Sequence, residues 1–490
     1  MTTPQGWLLV TLLAPVVGAV LTVLAPYRSR GAVFLTANTV ECLLALGVSV
    51  NVLARDVQPH LALWPLASLG RPLLTIDPLA ALFVTVTSVV FLLGAPYARG
   101  EATRWDDGRG PGVFMALYQL LLGAIFLLLA AGDVLSFLVG WEIMGLLLYA
   151  LVVFDQREEP TPRAAYLMLA IGEAGMVAGA VGLLLLAAHA SDLEFASLRL
   201  AASALDPTVV WAVFLLTFFG FGVKAGVFPV NHWLPDAYTA APRGFRPVLA
   251  GATTNLGIYA IARIGYDLLA PSIAGPGMVA LGVGSLTALI GILYAGIQAD
   301  IRRMLAHSSI ENMGIVVAAL GAGLVFAAEG HKTIAAIALV AGFYHMTNHA
   351  FYKSLLFIGA GSVEEVATSD MDRLGGLLRR MPVTGLLFLI GILAIAALPP
   401  LNGFVSEWLT LETMLRAAVL SSTVVKVAFA LSGAVLALTA GLAVTCFAKA
   451  FAMSFLGVCR SREASQANEA PRWGGGKHRF NQSRCSSTGC

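Results

Sequence analysis

The stretch FGVKAGVFPVNHWLPDAY, residues 221–238, overlaps the end of an apolar run that begins at Thr208 and is long enough to cross a bilayer. Lys224 is the charge inside that run, and Pro229 follows where a spanning helix should still be winding. A charge at lipid depth costs on the order of 3 kcal/mol or more. A proline inside a helix removes a backbone donor and clashes with the preceding turn. Two readings of Lys224 are open. Its long stem could carry the amine to the membrane surface, or carbonyls freed around Gly226 and Pro229, with water, could solvate it in place. The break beside it favours the second. A carboxylate moved nearer or farther would then control whether Lys224 holds its proton.

The rest of the chain makes lipid the right frame for that residue. Of 490 residues, 58% are hydrophobic and 12% charged, about half the charged share of a soluble domain. Apolar runs of roughly 20 residues recur from end to end. The sequence predicts an all-α polytopic membrane protein with about thirteen transmembrane helices, near 7–25, 32–54, 76–97, 112–131, 133–154, 162–188, 208–230, 246–268, 275–296, 308–328, 332–360, 382–420 and 424–455. The first run has no basic residues before it and is too long for a signal-peptide core, so it reads as a retained helix. The twelfth is too long for one crossing and contains LPPLNGF (398–404), so it reads as a second broken helix.

Lys and Arg in the short loops set the orientation. Loops after odd-numbered spans are richer in arginine, for example Arg28 and Arg30, Arg302 and Arg303, or Arg373, Arg379 and Arg380. This predicts cytoplasmic odd loops, an N-terminus outside, and residence in the cell's inner (plasma) membrane. Spans 4–8 and 9–13 each carry a broken helix as their fourth member. Because five is odd, successive five-helix units run with opposite topology, which is the inverted-repeat plan of many transporters. The expected units are residues 1–111 (three N-terminal helices), 112–268 and 269–455 (two half-channels), and 456–490, a polar tail without apolar periodicity that reads as disordered.

Charges in the other spans follow the same cost argument. VGWEIMGLLLYA (139–150) holds Glu142, either an interfacial residue beside Trp141 or a buried functional acid, and its depth beyond Asp133 favours the latter. YHMTNHAFYKSLLFIG (344–359) places His345, His349 and Lys353 at i, i+4 and i+8 on nearly one helix face. A zinc pair there lacks the following glutamate and would be repelled by the lysine, and core histidines are a further alternative. A proton relay suits the two nitrogens of neutral imidazole best. Glu407, just past the second break, is the counterpart of Lys224, or else a helix-end cap. Glu173, in IGEAGMVAG (171–179), is deep and has no partner legible in the sequence. Glu311, in HSSIENMG (307–314), lies near the expected mouth of span 10, where it could cap the helix. His232, Asp236 and Arg243 surround the cytoplasmic end of span 7, as an entry funnel or a wet loop.

These residues bring a family into view. The segments WEIMGLLLYAL, GVKAGVFPVNHWLPDAYTAAP, DIRRMLAHSSIENMGI, HMTNHAFYKSLLFIGAGSV and LPPLNGFVSEW, within residues 112–455, resemble the antiporter-like proton-conducting membrane subunits of respiratory complex I, Mrp-type antiporters and membrane-bound hydrogenases. The forms HSSIENMGI and HMTNHAFYKSLLF are most similar to its hydrogenase-4 component B and formate hydrogenlyase branch. The resemblance implies that Glu142 and Lys224 form the pair of the first half-channel, and that His345, His349, Lys353 and Glu407 serve the second. It also implies a proton path along a central polar axis, driven by redox chemistry in partner subunits. Two departures stand out. Where complex I relatives often carry a lysine in span 8, TTNLGIYAIAR (253–263) has Asn255, which holds water but carries no proton as a charge. Relatives also continue with at least one more helix, whereas WGGGKHRFNQSRCSSTGC (473–490) does not look family-like, which suggests a frameshift or early stop near Pro471.

What the sequence lacks narrows the function. The net charge of +2 and the absence of basic patches with interleaved aromatics argue against nucleic acid. Cys42, Cys446, Cys459, Cys485 and Cys490 form no CxxC pair or metal-type spacing, and no Gly-rich phosphate loop appears. The reading is therefore no redox cofactor, no nucleotide and no active site for chemistry in this chain. The expected function is a proton-translocating subunit working with other membrane and peripheral subunits. The alternatives are a cation/proton antiporter or ion-uptake subunit without a redox partner, moving sodium or protons, and a non-conducting scaffold.

Overall fold

The computed structural model describes residues 4–63, 71–103, 105, 110–155 and 161–469. Its elements follow the apolar runs. The first five long helices are α1 (Pro4–Leu24), α2 (Tyr27–Arg55), α3 (Pro78–Ala102), α4 (Gly110–Leu129) and α5 (Val134–Val152), with a small antiparallel pair, β1 (His60–Ala62) and β2 (Leu73–Thr75), between α2 and α3. Then come α6 (Thr161–Ala187), the short α7 (Phe195–Ala202), α8 (Pro207–Ala225), α9 (Trp233–Ala240), α10 (Arg246–Val248) and α11 (Asn255–Ala262). The second half holds α12 (Ala274–Ile297), α13 (Ile301–Ala328), α14 (Lys332–Val366), α15 (Pro382–Ile395), α16 (Asn402–Leu415), α17 (Thr423–Phe455) and a short α18 (Arg462–Gln466). Among the described residues, ten helices are long and apolar enough to cross a membrane. The other expected crossings fall on helices that are broken, π-wound or more polar, so thirteen crossings are compatible with this architecture.

Aspartates start several of these helices. The side chains of Asp77, Asp133, Asp206 and Asp300 accept from backbone N–H groups in the first turns of α3, α5, α8 and α13, at 2.8–2.9 Å. Each satisfies donors that would otherwise be orphaned at a helix end. Pro78 and Pro207 occupy first-turn positions, where a missing N–H costs nothing.

Both breaks predicted from sequence exist, at the Gly/Pro segments that mark them. Span 7 stops at Ala225, before the expected Val230, because Gly226 turns left-handed (φ 70°) and Pro229 cannot continue the ladder. The chain resumes as α9. The indole of Trp233 donates at 3.0 Å to the Val223 carbonyl, which also accepts from the Gly226 N–H, and the N–H of Phe228 reaches Thr287 Oγ1 on α12 at 3.1 Å. Span 12 divides into α15 and α16 around Leu398–Leu401. Phe228–Pro229 and Pro399–Pro400 are both cis peptides, one at each break.

Close glycine contacts bring helices together around the first break. Added Cβ atoms on Gly220 would lie 2.6 Å from the Gly175 carbonyl oxygen, and one on Gly257 would overlap the backbone of Ala225. Only glycine permits that approach of α6 and α11 to α8. The eighth span is not a plain α-helix. Leu249–Thr253 and Arg263–Leu268 wind as π-helix on either side of α11, an irregularity frequent at functional sites.

Arginines tie this irregular span down at both ends. At one end Arg246 pairs with Glu364 of α14, which also receives Arg302 at 2.9 Å. At the other, Arg263 bonds Asp77 and Asp267 at 2.6 Å each, and Arg199 bonds Asp267 at 2.7 Å. The two arginines stand roughly 25 Å apart at 1.5 Å per residue. The polar stretch expected to be disordered from residue 456 is docked over 456–469 instead. Arg460 donates to the carbonyls of Met371 and Asp372, and Glu469 accepts from the N–H of Val383 at 2.6 Å. The remaining tail, with Pro471, lies outside the described residues.

Two predictions follow from this frame. Arg263→Met leaves two carboxylates without their buried partner and is expected to cost about 3–5 kcal/mol, while Arg303→Ala, whose pair with Asp236 is solvent-exposed, costs about 0–1 kcal/mol. Chemical unfolding in detergent checks the contrast. Asp300 lies in the loop before α13. Burial alone would raise its carboxyl, but the hydrogen bonds and charge of Arg302, with Ser369, hold it below the usual range. Its contribution is therefore present above the ordinary aspartate value near about 3.9 and is lost as pH falls through the lower folded one. Acid unfolding should accordingly move to higher pH in Arg302→Met.

Candidate functional site

Among the described residues, two groups of charged side chains lie within apolar spans, one in each repeat. In the first half, Glu142 on α5 and Glu173 on α6 are half-buried, within hydrogen-bonding reach of each other and in the field of Lys224. Lys224, in the last turn of α8, is 6% exposed. Gly172 and Gly145 border the cluster, a Cβ on the first lying 3.7 Å from Lys224 Nζ and one on the second 3.8 Å from Glu173 Oε1. Glu142 Oε2 accepts no hydrogen bond. The partner that sequence reasoning could not find for Glu173 is thus Glu142.

The second half carries the same composition in a different order. Glu311 (α13), Lys353 (α14) and Glu407 (α16) are buried and interact electrostatically, Glu311 with both of the others. The expectation that Glu311 sits at a helix mouth is corrected. The helix begins at Ile301, earlier than the expected 308, and Asp300 fills the cap position, so Glu311 lies deep and only 1% exposed. Position by position, the second spans of the two repeats supply Glu142 and Glu311, the third Glu173 and Lys353, and the fourth Lys224 and Glu407. Each half has two acids and one lysine, with the lysine displaced by one helix.

A hydrogen-bonded network surrounds the second cluster. Lys353 Nζ donates to the Leu305 carbonyl at 2.7 Å and to Ser308 Oγ. Asn312 Nδ2 donates to the Ser308 carbonyl at 2.7 Å and to Glu311 Oε2 at 3.1 Å. That orientation leaves Asn312 Oδ1 as an acceptor for Tyr352 OH and for His345 Nε2 at 3.1 Å. Neutral His345 therefore carries its proton on Nε2, and Nδ1 faces Ser406 Oγ at 3.0 Å. The Ser406 hydroxyl also lies 2.9 Å from the Gly403 carbonyl and accepts from Asn348 Nδ2 at 3.2 Å. It can donate to Nδ1 of neutral imidazole. It can equally turn to Gly403 and accept from imidazolium. One hydroxyl rotation thus accommodates both protonation states.

His349 stands one turn from both His345 and Lys353. It is fully buried, and neither ring nitrogen has a partner. Such vacancies cost about 1–3 kcal/mol each unless water fills them. His345, His349 and Lys353 share one buried side of α14, as their spacing requires. The polar residues that join them, Ser308, Asn312, Tyr352, Asn348 and Ser406, escape a search that ranks residues by the cost of burying charge. Their sequence signal is only a concentration of Asn and Ser beside the acids, in HSSIEN and LNGFVSE.

Between the two clusters lies the π-wound part of span 8. Gly251 packs so closely on Ser354 and the Ala350 carbonyl of α14 that a side chain there would overlap them. Asn255, 2% exposed, donates to the Gly251 carbonyl at 2.9 Å, but its Oδ1 has no donor. An unpaired acceptor thus sits on the helix that touches α8 on one side and α14 on the other. The outer residues are less enclosed. His232 is exposed at the start of α9, Asp236 pairs with Arg303 at 2.9 Å, and Arg243 pairs with Glu101 at 3.3 Å.

Ser406→Ala removes the group facing His345 Nδ1 and one acceptor of Asn348, both buried. It is expected to lower stability by about 1–3 kcal/mol. Ser309→Ala, which loses only an intrahelical bond to Leu305, is the control. Thermal unfolding of the two variants in detergent measures the difference.

A family model described as "NADH:quinone oxidoreductase/Mrp antiporter, TM" matches residues 131–436. The chain is 36% identical to hydrogenase-4 component B of Escherichia coli (strain K12) over 402 residues, covering 81% of this chain and 59% of that protein. It therefore spans about three fifths of that relative's length. It is 30% identical to NADH-quinone oxidoreductase subunit L of Mycobacterium tuberculosis (strain CDC 1551 / Oshkosh), covering 96% of this chain and 73% of that one. In fold it resembles a chain of the Mrp complex from Dietzia sp. DQ12-45-1b, with a TM-score of 0.79 at 23% identity over 96% of this chain and 86% of the other.

Proposed function

This chain belongs to the NADH:quinone oxidoreductase/Mrp antiporter family of membrane subunits, and on that premise we propose that it translocates protons within a redox-driven, hydrogenase-4-like or complex I-like assembly. The observation that carries the reading is the pair of buried clusters, two acids and one lysine in each half, at matching positions of the repeat. Lipid-depth charge is too costly to keep in duplicate without a use.

In this reading Glu142 and Glu173 exchange protons with Lys224, and Lys353 does so with Glu311. Lys353 as an ammonium donates to Leu305 and Ser308, and as an amine it accepts from the Ser308 hydroxyl. His349 carries protons between Lys353 and His345, since both its ring nitrogens are free to donate or accept. His345 passes them by way of Ser406 toward Glu407. Water held at Asn255 Oδ1 joins the halves, because the asparagine itself takes no charge. His232 and Asp236 flank the entrance. The chain supplies the path, while its partner membrane and peripheral subunits supply the energy. The arginine-rich odd loops support a plasma-membrane orientation with the N-terminus outside and those loops cytoplasmic.

Reconstitution of the assembly in vesicles tests the reading. Lys224→Met and Lys353→Met, each removing the basic member of one cluster, are expected to abolish turnover-linked proton uptake while the complex still assembles. Unchanged pumping in both would leave only a scaffold role. Proton movement that appears only under an imposed sodium gradient would favour the antiporter reading.

A further inference from the structure

One carboxylate at lipid depth belongs to neither cluster. Glu41 is the middle residue of α2 (Tyr27–Arg55), fourteen positions from either end, and is 1% exposed. At 1.5 Å per residue it lies roughly 20 Å from each end of a helix long and apolar enough to cross the bilayer. The cost argument that picks out Glu142 in the sequence applies equally to Glu41 in TANTVECLLAL (36–46).

Its surroundings are built rather than incidental. Glu41 Oε1 accepts from Gln119 Nε2 of α4 at 2.8 Å, and Gln119 Oε1 accepts in turn from Thr22 of α1 at 2.9 Å. Gly18 of α1 faces the pair; a Cβ there would overlap Oε1 and lie 2.6 Å from Gln119 Nε2. The acid therefore occupies a niche that any larger residue at position 18 would fill. Glu41 Oε2 has no partner. Nor has Asn38 Oδ1, one turn away on α2, whose Nδ2 is committed to the Phe91 carbonyl at 3.3 Å. Tyr118 donates to that same carbonyl at 3.1 Å.

The donors and acceptors do not balance as an ionised carboxylate. The titratable groups beside Glu41 are Cys42 on its own helix and Tyr118 on α4. α1 and α4 contain no charged residue, and the charges of α3, Arg99 and Glu101, lie in its last turn. An unpaired carboxylate in hydrocarbon-like surroundings is far too costly to persist as a charge. A metal cation fits poorly, because the Gln119 N–H points at the carboxylate and would repel it. A proton on Oε2 repairs both defects at once, since it neutralises the acid and supplies the donor that this group of acceptors lacks.

We infer that Glu41 is a third proton-binding site of this chain, a neutral carboxylic acid held at mid-membrane by Gln119 and Thr22 in the N-terminal helices, outside the two half-channel clusters. The inference does not depend on the proposed pumping role.

Infrared difference spectroscopy on the full chain in lipid at neutral pH tests it. Wild type is expected to show a protonated-acid carbonyl band that is lost in Glu41→Gln, an isosteric change that keeps the niche filled. Gln119→Leu, which withdraws the bond to Oε1, should retain the band and shift it to higher wavenumber. That second variant also decides the matter if Glu41→Gln fails to accumulate. Identical carbonyl regions in wild type and Glu41→Gln, no shift in Gln119→Leu, or bleaching of the band by sodium chloride would each overturn the inference.

Discussion

The cost of holding charge where water is scarce shapes this molecule more than any other single term. Each lysine and carboxylate at lipid depth carries a penalty of several kcal/mol unless opposite charge, hydrogen bonds or water offset it. The fold meets that demand in three ways. Acids and lysines are gathered across helices, helices are broken so that freed backbone groups face the interior, and serine and asparagine fill the remaining donor and acceptor positions. Lys353, fully buried beside Glu311 yet bonded to the Leu305 carbonyl and Ser308, shows the first and the last of these at one residue.

Close packing makes that gathering possible. Glu142, Glu173 and Lys224 stand on three helices, and Gly175 and Gly220 let the backbones of α6 and α8 approach closely. Around Gly251, which packs directly on α14, span 8 abandons α-helical winding. Its two ends are held by buried arginine pairs to Glu364 of α14 and to Asp77 at the start of α3, so the middle is confined between fixed points. Asn255 sits within that middle with a vacant acceptor.

The two halves also show how a repeat diverges without losing its physics. The second, third and fourth spans supply the ionisable groups in both. In the first half the lysine lies on the broken helix, and in the second it lies on the unbroken helix before it. The total of two acids and one base is the same in both, while the helix that carries the lysine differs.

Much of this was determined by the sequence alone. Hydropathy gave the helical crossings. Proline and glycine marked both breaks, and the cost of burying charge singled out Glu142, Lys224, Lys353 and Glu407. The spacing of His345, His349 and Lys353 placed them on one helix face. Only the tertiary structure decided that Glu311 is a member of a cluster rather than a cap, that Glu142 is the neighbour of Glu173, and that Ser406 and Asn312 fix the tautomer of His345. The division has a physical cause. Periodicity and desolvation are properties of a residue and its local helix, so they are written along the chain. A partner is a matter of which helices touch and in what register, and that is set by glycine contacts and ion pairs between residues far apart in sequence.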